Sequence, residues 1–148
     1  MERERKLNTL LAQAGVKTDT TTGALTTPLH FSTTYQHPEF GQSTGYDYTR
    51  TKNPTRVSLE ETLAAIESAD YALATSSGMS AIVLAFSAFP VGSKVLAVRD
   101  LYGGSFRWFA QAEAEGRFAF TYANTEEDLL NNLTEDIDIV YIETPTNP

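Results

Sequence analysis

The sequence of 148 residues contains no cysteine, which excludes several kinds of site at once. Such a chain has no disulfide scaffold, no cysteine-ligated zinc and no thiol nucleophile. A reducing compartment fits this composition, and we expect a cytoplasmic protein. Histidine is also scarce: His30 and His37 are the two present, and neither belongs to an HxxxH or HxH pair. The sequence therefore predicts no metal site.

Long apolar runs are missing as well. The longest stretch, Ala81 to Phe89, is interrupted by Ser87. It falls far short of the roughly 20 residues that a membrane-spanning helix needs. The charged residues 1–6 are not followed by the apolar segment of an export signal. We therefore expect neither a membrane anchor nor a membrane partner.

Basic residues are few in the last third of the chain. Residues 113–143 contain nine acids and one base, Arg117, whereas residues 1–112 contain ten of each. The net charge of −8 therefore comes entirely from this segment. Such a balance argues against binding nucleic acid through bulk charge. Solvated helix faces explain the acidic segment most simply, and a site for a cationic partner is the alternative.

Helical and strand-like patterns alternate from residue 53 onward. Asn53 is typical of a helix N-cap and Pro54 of the first helical position. The predicted helices cover 54–68, 78–89, 105–115 and 125–133, and the predicted strands cover 71–74, 94–98, 118–122 and 137–142. This alternation is typical of an α/β domain with a mainly parallel sheet.

The first part of the chain has a different character. Leucines at helical spacing predict a short helix within residues 2–14, ended by Gly15. Residues 18–45 are rich in Thr, Ser, Gly, Pro and aromatic side chains and show little periodicity. We expect an extended arm that packs on another surface, such as a second subunit. The predicted organisation is thus a helix and arm over residues 1–52 and an α/β domain over residues 53–148.

Two motifs favour the binding of a phosphate or another anion. Thr75–Met79 joins a predicted strand to a helix, and its small residues let backbone N–H groups approach an anion. An ordinary turn is the alternative. In extended chain Tyr48 and Arg50 point to the same side, which predicts an anion clamp. A surface strand with tyrosine packing is the alternative there.

Two further motifs follow predicted strands, at the ends where α/β sheets bind ligands. Tyr102 precedes Gly103 and Gly104, and this arrangement would let the tyrosine ring lie over a flat ligand. A tight turn is the alternative explanation for the same residues. Glu143 and Asn147 lie in the proline-stiffened segment that ends the chain. Because the chain stops at such a strand end, we expect it to be a fragment.

Together, and in this order, these motifs resemble the Cys/Met-metabolism family of pyridoxal-phosphate enzymes. The resemblance covers about residues 17–148. The matching segments are Tyr48-x-Arg50, Asn53-Pro-Thr55, Leu59-Glu60, Ser76-Ser-Gly-Met79, Asp100-Leu-Tyr-Gly-Gly104 and Glu143-Thr-Pro-Thr-Asn-Pro148.

The resemblance implies the N-terminal part of a type I, aspartate aminotransferase-like fold and a homotetramer built as a dimer of dimers. It also implies a site for pyridoxal phosphate. In this family the positions of Ser77, Gly78 and Met79 hold the cofactor phosphate, and those of Tyr48 and Arg50 clamp the phosphate in the neighbouring subunit. Tyr102 matches the catalytic residue stacked on the pyridine ring. Asn147 matches the asparagine near the ring hydroxyl.

The family also uses a lysine that links covalently to the cofactor and an aspartate that pairs with the pyridine nitrogen. Neither has a match here, because none of Lys6, Lys17, Lys52 and Lys94 lies in a Ser-x-Thr-Lys context. We therefore expect truncation before the Schiff-base lysine and a chain that is inactive alone.

The stretch Ser43–Arg56 resembles cystathionine γ-synthase and O-acetylhomoserine sulfhydrylase-type members. This implies γ-replacement on an activated homoserine, with a homoserine ester or cystathionine, and cysteine or another thiol, as substrates. A cystathionine β-lyase or γ-lyase is the alternative reaction. A catalytically dead, truncated subunit that pairs with a full-length partner is the alternative of another class.

Overall fold

The computed structural model describes residues 7–16 and 19–146. The chain divides into two units, residues 1–74 and residues 75–148. The proposed domain boundary between residues 52 and 53 stays a prediction. Part of the predicted first helix, residues 2–6, lies outside the described residues.

The first unit contains two helices, α1 (Leu7–Ala12) and α2 (Pro54–Glu67). Most of the predicted arm between them has no regular secondary structure. Two isolated antiparallel bridges, Val16 to Thr26 and Thr34 to Tyr48, organise its course. The rings of Tyr35 and Tyr46 also pack together, with centroids 5.6 Å apart. The arm is therefore held by a few short contacts rather than by a sheet.

The start of α2 is fixed by Asn53, as the sequence predicts. Its side-chain oxygen accepts the N–H of Thr55 at 2.9 Å. Its amide group donates to the carbonyl of His30 at 3.1 Å and to the hydroxyl of Thr49 at 2.7 Å. One side chain thus caps the helix and ties two points of the arm to it. The helix ends at Glu67 and is followed by the C-cap residue Ser68, which adopts a left-handed conformation with φ 54°.

Replacing Asn53 with alanine is expected to lower the free energy of unfolding by about 1–2 kcal/mol, because the cap bond is lost. Asn53→Asp keeps the cap acceptor but removes both donated bonds, so its cost should be smaller. Circular dichroism during urea titration measures both. An alanine variant as stable as the unmodified chain would contradict the proposed role of Asn53.

The second unit alternates three helices with three strands along the chain. Its elements are α3 (Gly78–Phe86), β1 (Ser93–Val98), α4 (Gly103–Ala114), β2 (Phe118–Ala123), α5 (Glu126–Asn132) and β3 (Ile139–Tyr141). The strands form a parallel sheet in the order β2-β1-β3. This confirms the predicted α/β class and its parallel sheet.

The core of this unit lies between the sheet and α4. Val95, Leu96 and Ala97 on the central strand are fully buried, as is Phe109 on α4. The Phe109 ring stacks on Phe120 with centroids 4.6 Å apart. Strand β1 is buried on both faces, which explains its continuous apolar sequence.

The predicted strand at residues 71–74 is wrong. Residues 71–75 have no regular secondary structure, and the N–H of Ala74 is bonded to the carboxylate of Glu60. A strand needs a hydrogen-bonded neighbour, and no described segment pairs with this one. Other boundaries also shift: α3 ends at Phe86 rather than residue 89, α4 begins at Gly103 rather than residue 105, and β3 is shorter at both ends than predicted.

Candidate functional site

The start of α3 presents backbone N–H groups at an exposed surface of the second unit. Ser77 is the N-cap, and its hydroxyl accepts the N–H of Ser80 at 3.1 Å. The N–H groups of Gly78 and Met79 belong to the first turn, where a helix has no acceptor of its own for them. A Cβ at Gly78 would meet nothing within 4 Å. The helix start is therefore open to a ligand that accepts hydrogen bonds.

Tyr102 lies at the N-cap of α4, close to that helix start. A Cβ at Gly104 would overlap the Tyr102 ring and lie 3.1 Å from the sulfur of Met79. The structure thus brings Met79 of one sequence motif next to Tyr102 and Gly104 of another. The Tyr102 side chain is 48% exposed, so part of its ring faces solvent.

Glu143, just beyond β3, reaches across to the start of α4. Its Oε2 accepts the backbone N–H of Tyr102 at 2.7 Å. Its Oε1 accepts the hydroxyl of Ser105 at 2.5 Å and that of Tyr141 at 2.7 Å. These contacts follow from the sheet, because the parallel pairing of β1 with β3 brings the carboxyl ends of both strands together.

Three donated hydrogen bonds favour the ionised form of Glu143. Burial raises the pKa of the carboxyl group, but the bonds from Ser105, the Tyr102 N–H and Tyr141 together lower it below its usual value. The group is therefore a carboxylate at neutral pH. Burial and the same carboxylate raise the pKa of Tyr141, so its hydroxyl stays protonated.

Tyr48 and Arg50 lie together in the first unit, but the chain between them is not extended, contrary to the prediction from the sequence. A turn follows Tyr48, with the N–H groups of Thr51 and Lys52 both bonded to its carbonyl. This turn, rather than an extended strand, places the guanidinium of Arg50 5.2 Å from the centre of the Tyr48 ring. Arg50 also donates to the Tyr48 hydroxyl at 2.9 Å, while its side chain stays exposed.

Arg56 and Glu60 on α2 hold that turn, a role that the sequence reasoning missed. Arg56 donates to the carbonyls of Thr51 at 2.6 Å and Arg50 at 3.4 Å. Its guanidinium lies 3.6 Å from the Glu60 carboxylate. The spacing of four residues between them was the available signal, since such pairs face each other on a helix.

One predicted site residue lies beyond the part of the chain that the structure describes. Asn147, the predicted neighbour of the ring hydroxyl, lies outside the described residues. In the part of the chain that the structure describes, no three acidic or histidine side chains gather as metal ligands. No described helix is long and apolar enough to cross a bilayer.

Comparison with known proteins identifies the family. The sequence model of the Cys/Met metabolism PLP-dependent enzymes matches residues 8–148. The chain is 41% identical over 144 residues to a cystathionine gamma-synthase/O-acetylhomoserine (thiol)-lyase of Bacillus subtilis, covering 96% of this chain and 39% of the relative. It is 42% identical over 154 residues to the cystathionine gamma-synthase of Haemophilus influenzae, covering 100% of this chain and 41% of the relative. Cystathionine gamma- and beta-lyases match as well.

The structural comparison agrees with the sequence match. Cystathionine gamma synthase from Xanthomonas oryzae pv. oryzae, solved in complex with cystathionine, superposes with a TM-score of 0.88 at 37% identity. The match covers 97% of this chain and 38% of that one. The chain thus spans about two fifths of the length of the relatives it matches, corresponding to the N-terminal part of their fold. It belongs to the Cys/Met metabolism family of pyridoxal-phosphate-dependent enzymes.

Proposed function

We propose that the chain supplies the phosphate-binding part of a trans-sulfuration enzyme that catalyses γ-replacement on an activated homoserine. The observation that carries this proposal is the open start of α3 beside the half-exposed Tyr102 ring. An anion fits the N–H groups of Gly78 and Met79, and a flat ring fits the face of Tyr102. Pyridoxal phosphate combines these two chemical groups.

The fit is supported by close packing as well as by residue type. Gly104 leaves room for the Tyr102 ring, since any Cβ there would overlap it. Ser77, Gly78 and Met79 would hold the cofactor phosphate, and Tyr102 would stack on the ring. Asn147 would lie near the ring hydroxyl. Bound there, the cofactor would supply an electron sink for carbanion chemistry.

Tyr48 and Arg50 are proposed to clamp a cofactor phosphate in a neighbouring subunit of a homo-oligomer. A guanidinium grips two phosphate oxygens at once, and the exposed Arg50 is already oriented by Tyr48 and by the turn that Arg56 holds. The proposal is that the arm carries this pair to a second copy of the chain.

The γ-synthase reaction is proposed over the lyase reactions because the two relatives given above with 41% and 42% identity are synthase-type enzymes. Because the Schiff-base lysine has no match in the chain, the reaction is assayed in a protein completed by the C-terminal part of the Bacillus subtilis relative. With pyridoxal phosphate, a homoserine ester and cysteine, this completed protein should yield cystathionine, whereas neither part alone should. Formation of a keto acid from cystathionine would favour a lyase instead. Ligand binding with neither product in the completed protein would contradict both reactions and leave cofactor holding as the function.

The phosphate site can be tested without any covalent chemistry. Deoxypyridoxine phosphate keeps the ring and phosphate of the cofactor but lacks the aldehyde that reacts with lysines. Arg50→Gln should weaken its binding about tenfold, because a charge-assisted bidentate contact is lost. Equilibrium dialysis measures the affinity.

Lys52→Gln is the matched control, since it removes an equal charge two residues away. Lys52 lies over the Tyr46 ring, 5.3 Å from its centre. This variant should bind like the unmodified chain. If deoxypyridoxine without phosphate bound as tightly as its phosphate ester, the proposed phosphate site would be wrong.

A further inference from the structure

Glu143 is the acceptor on which the start of α4 depends. Its carboxylate receives the Tyr102 N–H and two hydroxyl groups, and all three partners are acting as donors. Both oxygens of an ionised carboxylate accept hydrogen bonds and neither donates one, which is true of no neutral side chain of this size. The Ser105 residue among these donors is fully buried. The contact is therefore specific to a charged acid at this position.

The carboxylate fixes the backbone of Tyr102 rather than its ring. Tyr102 makes no side-chain cap bond at the start of α4, and its backbone is held instead by Glu143 in the segment after β3. A second tether lies nearby: the Thr146 hydroxyl donates to the Asp100 carboxylate at 2.9 Å. Two bonds thus join the segment after β3 to the segment between β1 and α4.

The ring orientation follows from that fixed backbone. With the Tyr102 main chain held by Glu143, the ring lies against Gly104 and next to the sulfur of Met79. Freeing the main chain would let the ring leave this surface. Glu143 thus orients the Tyr102 ring indirectly, by holding the backbone N–H of the same residue.

We infer that Glu143 is the positioning residue of Tyr102, holding its backbone so that its ring presents one face to the flat ring of a bound ligand. This inference rests on the proposed function in one respect, the role of the Tyr102 ring in cofactor binding. The placement of Tyr102 by Glu143 itself is a property of the unliganded chain.

The first test measures amide hydrogen exchange in the unliganded chain. Glu143→Ala should speed exchange of the Tyr102 N–H about tenfold, because its acceptor is lost. Glu143→Gln keeps one acceptor oxygen and should restore part of the protection. The N–H of Phe109, deep in α4, serves as the reference. Its exchange rate should change only as far as the substitution changes the free energy of global unfolding. Equal acceleration at both amides would overturn the inference.

Tyr141→Phe is the matched control for this test. It removes one donor to the same carboxylate but leaves the bond between Glu143 and the Tyr102 N–H in place. Its Tyr102 amide should exchange at nearly the unmodified rate. If Glu143→Ala does not fold, Glu143→Gln carries the same comparison with a smaller change.

The second test asks whether Glu143 acts through Tyr102. Glu143→Ala should weaken binding of deoxypyridoxine phosphate about tenfold. In a Tyr102→Ala background the same change should have no further effect. Equal losses in both backgrounds would mean a merely structural role. If the unmodified chain fails to bind the ligand, the proposed function fails, and the exchange test alone decides the positioning role.

Discussion

Replacing Phe109 with alanine is expected to lower the free energy of unfolding of residues 75–148 by about 3–5 kcal/mol. The side chain is fully buried. Its ring contacts Phe120, Tyr141 and Phe86, with centroid distances of 4.6, 4.9 and 5.2 Å. Removing it leaves a cavity between α4 and the sheet. Urea denaturation followed by the fluorescence of Trp108, the only tryptophan in the chain, measures the loss.

Phe106→Ala provides a control on the same helix. Phe106 is 41% exposed and packs on Tyr122 at 5.9 Å. Because folding removes less of the Phe106 side chain from water, its replacement by alanine should lower the free energy of unfolding by only about 1–2 kcal/mol. Similar losses for the two variants would show that the core does not depend on Phe109 as the packing suggests.

The elements of the second unit are those that local sequence signals predict well. The alternation of apolar, strand-like and helical patterns predicts them without tertiary information. In the structure Ser77 and Thr125 cap two of these helices. The error at residues 71–74 has the opposite origin. Tyr71 and Leu73 form an apolar run but are 88% and 72% exposed, because strand formation depends on a neighbour that the pattern itself does not specify.

The candidate site divides in the same way. Small residues at Ser77, Gly78 and Gly104 are local signals, and the structure places them at the starts of α3 and α4. The contact between Glu143 and Tyr102 joins residues 41 positions apart and arises from the pairing of β1 with β3. The register in which β1 pairs with β3 cannot be derived from the spacing of residues in the sequence. The sequence therefore indicated Glu143 only as a polar group at a strand end.

Gly104→Ala is expected to weaken binding of deoxypyridoxine phosphate at least about tenfold. The added Cβ overlaps the Tyr102 ring, and the sulfur of Met79 lies 3.1 Å away. Because Tyr102 is half exposed, its ring can rotate into solvent to avoid the new methyl group. The ring then leaves the surface where it would contact the ligand. Equilibrium dialysis gives the affinity, and the near-ultraviolet circular dichroism of the tyrosines reports the ring movement.

The neighbouring glycine separates this effect from the general cost of a new methyl group. A Cβ at Gly103 lies 3.4 Å from Arg107 Nη1, the end of a flexible side chain that can move away. Both glycines occupy the first turn of α4, where alanine is favoured over glycine by up to about 1 kcal/mol. Gly103→Ala should therefore bind the ligand normally and be equally or more stable.

A Tyr102→Ala background completes the comparison for Gly104. Without the ring there is nothing large for the Cβ to displace, so Gly104→Ala should cost no further affinity in that background. Unchanged affinity in the single variant would mean that the ring tolerates displacement and does not stack on the ligand. A loss of affinity that persists without the ring would mean that the ligand contacts Gly104 directly. Glycine would then be needed at this position to make room for the ligand rather than for the Tyr102 ring.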